Sequence, residues 1–282
     1  MQAGRGLITC VRAGMFFQPH DLTEALEIRA RLGMDVTPVA GGTDLAVAFN
    51  RQSERPRHLL DLTRIDGFTD VRREDGAWVV AGGTTFATIG RLPAPVLAEA
   101  AMSVGGPAIR NRGTIAGNMG TASPAGDGCV ALLALDAEVE LRHATRGPRT
   151  IPIGDYFTGF RKTALLGDEL ITAIRFRNDW AGAWGKIGKR GATNISVVCC
   201  AATMSPTGQM RIAFGSVAPT VVRVRRAEAI VEAGGLTDPA IEAAAAAAMA
   251  GVSPIDDHRA SAAYRRAMCG VLVRRLLKTL RA

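Results

Sequence analysis

Two glycine-rich stretches hold the residues of this chain best suited to meeting a ligand. In Val39-Ala40-Gly41-Gly42-Thr43-Asp44-Leu45 a strand ends in two glycines, and a hydroxyl and a carboxylate follow where a helix begins. Glycines let a backbone turn sharply and approach a phosphate with several N–H groups free to donate. A helix N-terminus behind them adds a favourable dipole. A plain structural turn would use the same residues. The second stretch is longer, from Gly105-Gly106-Pro107-Ala108-Ile109-Arg110-Asn111-Arg112-Gly113 through Thr114-Ile115-Ala116-Gly117-Asn118 and on to Ser123, Pro124 and Asp127. Such a density of Gly, Asn, Ser, Thr and Asp inside apolar sequence carries an entropic cost and many polar groups that need partners. An extended ligand with a diphosphate and sugar hydroxyls would offset both, the N–H groups taking phosphate and the carboxylate taking hydroxyls. An irregular surface loop is the alternative.

Other chemistries find little footing. No GxGxxG follows the first strand and no GxxxxGK[ST] occurs, so neither a Rossmann nucleotide site nor a P-loop is supported. His20, His58, His143 and His258 lie far apart, with no HExxH and no G-x-S-x-G elbow. A diphosphate site with so few acids and bases suggests chemistry carried by a cofactor. The five cysteines (Cys10, Cys129, Cys199, Cys200, Cys269) form no CxxC pair and no metal-ligand spacing with His, which argues for a reducing compartment and against a cluster or structural zinc.

The elements that must position these loops can be read from pattern. Asp21 caps a helix to about Leu32 with Glu24 as its capping-box partner, and Gly33 closes it. Val36 to Ala40 is a short buried strand and Leu45 to Asn50 a helical run. Leu59 to Leu62 and Trp78 to Gly82 are expected as strands around a turn at Asp75-Gly76. A helix over Pro95 to Val104 leads into the second loop; a helix over Cys129 to Leu135 and a strand over Ala137 to Leu141 follow it. Strands are expected at Glu169 to Phe176, Ile195 to Met204 and Met210 to Val217, the last two joined by a hairpin at Thr207-Gly208. Helices are expected at Ala227 to Ala233, Pro239 to Ala250 and Ala260 to Leu280, and a linker at Asn178 to Ala183.

The chain has 282 residues, 48% hydrophobic and 21% charged, enough for two domains or one large one with a real core. No apolar run approaches the ~18 residues of a membrane span. The net charge of +8 comes from 34 basic and 26 acidic residues, the basic ones overwhelmingly Arg and spread along the chain rather than striped among aromatics as in a nucleic-acid binder. That leaves a solvated basic surface, or a face for an acidic partner or anionic cofactor. Residues 1–14 read as a leader, a tag remnant or a long start, with no signal peptide.

At this point a resemblance emerges. Ala40-Gly41-Gly42-Thr43-Asp44-Leu45 resembles the first flavin loop of the FAD-binding subunits of molybdenum hydroxylases, and Ile109 to Asn118 with Ala122-Ser123-Pro124 and Asp127 resembles their second. The family includes xanthine dehydrogenase, aerobic carbon monoxide dehydrogenase and nicotine-type dehydrogenases. Asp168-Glu169-Leu170-Ile171, Lys186, Asp256-Asp257-His258-Arg259 and Tyr264-Arg265-Arg266 extend the likeness to the C-terminus.

The resemblance implies an α+β fold. An N-terminal extension (1–14) precedes a PCMH-type FAD-binding domain of two α/β subdomains (15–178) and a smaller C-terminal domain of antiparallel strands packed with helices (179–282). It implies non-covalent FAD. Val39, Ala40, Gly41, Gly42, Thr43, Asp44 and Leu45 would wrap the diphosphate through backbone N–H groups; Thr114, Ile115, Ala116, Gly117 and Asn118, with Ser123, would hold its other side. Asp127 would bind ribose or ribityl hydroxyls, Val104 would pack near the flavin or adenine, and Ile171 and Lys186 would line the flavin end. A lysine there would stabilise negative charge on the ring. The partners implied are a molybdopterin-binding large subunit and a 2Fe–2S small subunit, in a cytoplasmic dimer of heterotrimers. Electrons would come from the iron–sulfur subunit and leave to NAD, or to oxygen or a quinone.

Phe157-Thr158-Gly159, Ile212-Ala213-Phe214-Gly215 and Val217-Ala218-Pro219-Thr220 are similar to the xanthine dehydrogenase branch. Two positions depart from the family. Ala116 stands where a second glycine is usual, at a cost of about 1 kcal/mol if its φ is positive. Asn194 stands where relatives often have Asp. A stand-alone FAD oxidase or reductase, or a flavin-free assembly module, are the rival readings.

Overall fold

The computed structural model describes residues 14–51, 56–177, 179–191 and 193–282. The expected N-terminal extension, apart from Gly14, lies outside them, as do Cys10 and Asn178.

A small parallel sheet comes first, ordered β1-β3-β2 and built from β1 (Phe16–Phe17), β2 (Val36–Val39) and β3 (His58–Asp61), with α1 (Leu22–Leu32) and α2 (Thr43–Asn50) between them. Asp21 caps α1 by accepting the Glu24 N–H at 2.9 Å, and Gly33 ends the helix at φ +53°, as the pattern predicts. Arg29 of α1 is buried and gives its N–H groups to the carbonyls of Gly33, Val36 and Glu169. It thereby ties β2 to the neighbouring sheet across a core of Leu26, Ile28, Val36 and Leu60.

Next comes an antiparallel sheet ordered β4-β5-β10-β6-β7. Its strands are β4 (Val71–Glu74), β5 (Ala77–Ala81), β6 (Glu138–His143), β7 (Gly147–Pro152) and β10 (Leu170–Arg177). Helices α3 (Phe86–Ile89), α4 (Pro95–Ser103), α5 (Pro107–Arg110), α6 (Ile115–Thr121) and α7 (Asp127–Ala134) lie between β5 and β6; α8 (Ile153–Tyr156) and the small pair β8 (Phe157–Gly159) and β9 (Lys162–Thr163) precede β10. The turn at Asp75-Gly76 joins β4 to β5, not Leu59–Leu62 to Trp78–Gly82 as expected, and the strand at Leu60 belongs to the first sheet. Val-Arg-Arg-Glu is an edge strand with mostly exposed charges, so it lacks the apolar alternation that marks a strand.

The C-terminal part is a four-stranded antiparallel sheet of β11 (Ala181–Ile187), β12 (Val198–Met204), β13 (Met210–Gly215) and β14 (Val222–Arg223) with α9 (Arg225–Gly234), α10 (Asp238–Ala250) and α11 (Ala262–Arg281). The expected linker is corrected here, because Ala181, Gly182 and Ala183 already pair with Met204, Thr203 and Ala202. Ala-Gly-Ala-Trp-Gly has poor strand propensity. The glycines are nevertheless required: a Cβ on Gly182 would fall 2.2 Å from Val96 Cγ2, and one on Gly185 2.9 Å from Leu272 Cδ2. Helices thus press on both faces of this sheet, α4 and α7 from one side and α11 from the other. Cys199 joins the core shared with α7 while its neighbour Cys200 joins the core under α11. Coverage of both faces explains why this stretch reads as a continuous apolar run; the strand starts at Val198, after Ile195 to Val197 have served as a loop. The molecule is α+β, in the arrangement expected.

Candidate functional site

The two glycine loops, some seventy residues apart in sequence, meet in the fold. Gly41 packs so tightly on the second loop that a Cβ would fall 1.9 Å from the Arg112 carbonyl oxygen. Thr43 lies beside Gly113, and the Thr121 hydroxyl at the end of α6 donates to Asp44 Oδ2 at 2.7 Å. β2 delivers Val39 and Ala40 to this junction, the Val39 carbonyl accepting from Leu62 N–H at 2.8 Å. The helix α2 starts at Thr43, two residues earlier than its pattern predicts, behind Gly42 at φ +71°. No side chain caps it, and the N–H groups of Gly42, Thr43, Asp44 and Leu45 find no acceptor among the described residues. An uncapped helix start of this kind is a favourable place for an anion.

The second loop is helical over much of its length. Its polar run is organised into α5 and α6 rather than left irregular. The N–H groups of Ile115 and Ala116 go to the carbonyls of Thr84 (3.0 Å) and Gly82 (3.1 Å), that of Gly117 to Thr114 Oγ1 (3.1 Å) and that of Asn118 to the Thr114 carbonyl (3.0 Å). These donors are therefore partnered within the protein. What the segment leaves available is the Thr114 N–H, which finds no acceptor among the described residues, and the exposed backbone of Gly117 and Gly120. The segment Gly82-Gly83-Thr84-Thr85, of which only Gly82 is expected to matter, as a strand end, is the support for α6. Gly82 abuts the Ile171 carbonyl, Gly83 the Phe68 carbonyl, and neither has room for a Cβ. Two glycines and a threonine after a strand repeat the Gly-Gly-Thr of the first loop and were a usable signal.

Ala116 sits in the first turn of α6 and is not among the residues with positive φ. The expected strain does not arise; its methyl lies 3.1 Å from where a Cβ on Gly82 would stand and packs with the core. Ile171 is buried beneath α6, with Cδ1 3.8 Å from the position of a Gly120 Cβ, so it acts by supporting that helix. Val104 is half-buried and its carbonyl, with that of Gly105, is gripped by Arg110 Nη1 at 3.1 Å. Ser123 Oγ accepts the Ala125 N–H at 3.2 Å and shapes the turn before α7.

Asp127 and Lys186 come together, but on each other. Lys186 Nζ on β11 lies 2.6 Å from Asp127 Oδ2 at the start of α7, and both side chains are nearly buried. The ammonium also donates to the carbonyls of Ser103 (2.9 Å) and Asn194 (3.2 Å). Asp127 Oδ1 accepts the Ser196 hydroxyl at 2.5 Å, and Oδ2 also accepts that of Ser103. With these bonds the pair is a clasp between the flavin-loop domain and the C-terminal sheet. Ser103 and Ser196 were missed from sequence, because isolated serines give no pattern. Asn194 leaves Oδ1 buried without a donor beside this clasp. Cys129, against Asn118, stays a thiol: burial and the neighbouring Asp127 charge push it well up, and Sγ donates to Asn118 Oδ1 at 3.2 Å.

Asp168 and Glu169, part of the resemblance, form an ion-pair cluster with Arg146 and Arg149. Arg146 holds Asp168 through two bonds of 3.0 and 2.7 Å and keeps its carboxyl below the ordinary range. Burial opposes the charge on Glu169, yet bonds from Arg149 and the Leu166 N–H hold it low as well. A cavity of about 450 Å³ lies at the opposite end of α7, lined by Asp136, Glu138, Phe176, Arg177 and Trp180 among others, and no predicted site residue lines it. Among the described residues no group of His, Cys, Asp or Glu could hold a metal ion, and no helix is long and apolar enough to cross a membrane.

The donor set fits a flavin dinucleotide at the loops. Free N–H groups at the start of α2 suit a diphosphate, an exposed glycine face on α6 allows close approach, and the orphaned Asn194 Oδ1 can accept from a hydroxyl or ring N–H.

Residues 11–176 match the family described as the FAD binding domain in molybdopterin dehydrogenase, and residues 185–280 the CO dehydrogenase flavoprotein C-terminal domain. The chain is 33% identical over 275 residues to the carbon monoxide dehydrogenase medium chain of Hydrogenophaga pseudoflava, covering 93% of this chain and 95% of that one. It is 30% identical to the xanthine dehydrogenase FAD-binding subunit of Escherichia coli O157:H7, covering 85% and 86%. A solved Hydrogenophaga pseudoflava carbon monoxide dehydrogenase lacking the Mo-pyranopterin moiety of its cofactor superposes with a TM-score of 0.88 at 32% identity, over 94% of this chain and 96% of that one. Sequence motifs, loop geometry and these likenesses agree: the chain belongs to the molybdenum hydroxylase family, as an FAD-binding oxidoreductase subunit.

Proposed function

We propose that this chain holds FAD non-covalently at the junction of its two glycine loops, takes electrons from a 2Fe–2S small subunit and passes them to NAD or another acceptor. Its other partner in this reading is a molybdopterin-binding large subunit, in a cytoplasmic dimer of heterotrimers. The observation that carries the reading is the uncapped start of α2, with the N–H groups of Gly42 to Leu45 free beside the Thr114 N–H. The FAD, when bound, supplies a centre that accepts electrons singly and releases them in pairs. The protein supplies place and charge. Gly41, with no room for a Cβ, keeps the loops together, and the free N–H groups balance phosphate charge; Lys186, held by Asp127, Ser103 and Asn194, would supply a positive charge at the flavin end that the resemblance assigns to it. No cysteine of the described chain is exposed to serve as a covalent tether. Resemblance, rather than geometry, supplies NAD as the acceptor and the xanthine-type branch as the class of complex.

The test is to purify the chain alone and identify any flavin released on denaturation, by chromatography and visible spectrum. FAD near one per chain and free in solution supports the reading. A flavin that stays on the polypeptide favours a covalent oxidase, and no FAD even after reconstitution favours a flavin-free module. Co-purification with two further subunits separates a complex subunit from a stand-alone enzyme; that complex, assayed with NAD, oxygen and a quinone, identifies the acceptor.

A further inference from the structure

The C-terminal motif Asp257-His258-Arg259 with Tyr264-Arg265 lies in the last domain, yet its bonds lead back to the loops. Arg265 on α11 is buried, and its Nη1 bridges the carbonyls of Val197 (2.8 Å) and Ser216 (2.9 Å). Its Nη2 reaches Asp257 Oδ1 at 2.6 Å, an oxygen that also accepts the N–H groups of Arg259 and Ala260. Ser216 has a left-handed backbone at φ +66°, costly for a non-glycine residue. That conformation lets its N–H donate to the Pro124 carbonyl at 2.7 Å and its hydroxyl to the Ser196 carbonyl at 2.9 Å. The Ser196 hydroxyl in turn holds Asp127 Oδ1, whose other oxygen holds Lys186. One buried guanidinium therefore fastens Val197 to Ser216, and through Ser196 the Asp127–Lys186 pair.

We propose that Arg265, oriented by Asp257, is a positioning residue that sets the place of the Lys186 charge, and so the affinity and redox potential of the bound flavin, from the far domain. This rests on the reading that Lys186 faces the flavin. A purely structural arginine would contribute to stability and leave both quantities alone.

The test uses the full chain with four variants, Arg265→Met, Arg265→Lys, Ser216→Gly and Leu277→Ala. FAD dissociation is followed by flavin fluorescence, the flavin midpoint potential by redox titration and stability by thermal unfolding. Arg265→Met weakens FAD binding by about tenfold, the scale of one lost charge-assisted hydrogen bond, and shifts the potential downward. Arg265→Lys keeps the charge but not the fork, and recovers part of both. Ser216→Gly suits the left-handed backbone, loses only the bond to Ser196, and shifts both in the same direction by less; it carries the test if Arg265→Met does not fold. Leu277→Ala opens a cavity on the same helix, lowering stability with potential and affinity unchanged. The proposal is overturned if the Arg265 and Ser216 variants keep the wild-type potential and affinity, or if Leu277→Ala shifts them equally. The underlying reading is tested separately: a wild-type chain that binds no FAD, or a Lys186→Met chain that binds FAD with the wild-type potential and affinity, overturns that reading instead, before the other variants are made.

Discussion

At Gly41 a single hydrogen decides whether the two loops can meet. Gly41→Ala places a methyl against the Arg112 carbonyl, so the loops must part; the expected cost is about 1–3 kcal/mol in urea unfolding, with a marked loss of FAD from the purified chain. Ala116 is the contrasting case. Because it is helical, Ala116→Gly should lower stability by about 0.5–1 kcal/mol and bring no gain in FAD affinity, measured by the same unfolding curve and by flavin titration. Asp257 belongs to the same scale. Burial disfavours its charge, but the Arg259 N–H, Arg265 and the Ala260 N–H together hold the carboxyl below its ordinary 3.8. A carboxyl lowered in the folded state binds its proton more weakly than in the unfolded chain, so it stabilises the fold above the ordinary value and loses that contribution as pH falls through the folded one. Asp257→Asn should therefore flatten the loss of stability below about pH 4 relative to wild type, followed by chemical unfolding at each pH. Asp61, Asp168, Glu169 and Asp238, also held low, contribute to the acid sensitivity that remains.

Among the helices of eight residues or more, α2 is the least anchored: none of its residues is buried, and Val47 and Phe49 are exposed. Its attachment to the second loop is the bond from Thr121 to Asp44, together with the Gly41 contact. Thr121→Val should cost about 0.5–1.5 kcal/mol at most and speed hydrogen exchange in α2 without affecting α7, while Asp44→Asn, which keeps an acceptor, should leave exchange nearly unchanged. By contrast α7 is buried along its whole length, between α4 and the strands β12 and β13. It is the bar against which the second loop and the C-terminal sheet are set.

Across the whole molecule the Lys186–Asp127 clasp joins the flavin-loop domain to the C-terminal sheet. Removing one partner leaves the other charge buried, so Lys186→Met alone should cost about 3–5 kcal/mol, and Lys186→Met with Asp127→Leu should cost clearly less than the sum. A double-mutant cycle by urea unfolding measures this. If the pair contributes nothing across the junction, the two single changes will simply add. The network through Ser196, Ser216 and Arg265 makes the clasp part of a continuous connection rather than an isolated bridge.

Much of this was present in the sequence. Asp21 with Glu24 fixed the start of α1, Gly33 its end, and Ala40 to Leu45 marked a strand–turn–helix, because capping, left-handed glycines and apolar periodicity act over a few residues. The family and its cofactor were legible for the same reason, since both loops are contiguous motifs. Tertiary structure decided what sequence spacing cannot: that the N–H groups of Ile115 to Asn118 are taken by Gly82, Thr84 and Thr114, that Asp127 answers Lys186 and Ser196, and that β4 and β11 are strands at all. A polar group's free or committed state depends on which distant acceptor the fold brings within 3 Å or so, and that distance is set by packing the whole chain rather than by any segment of it.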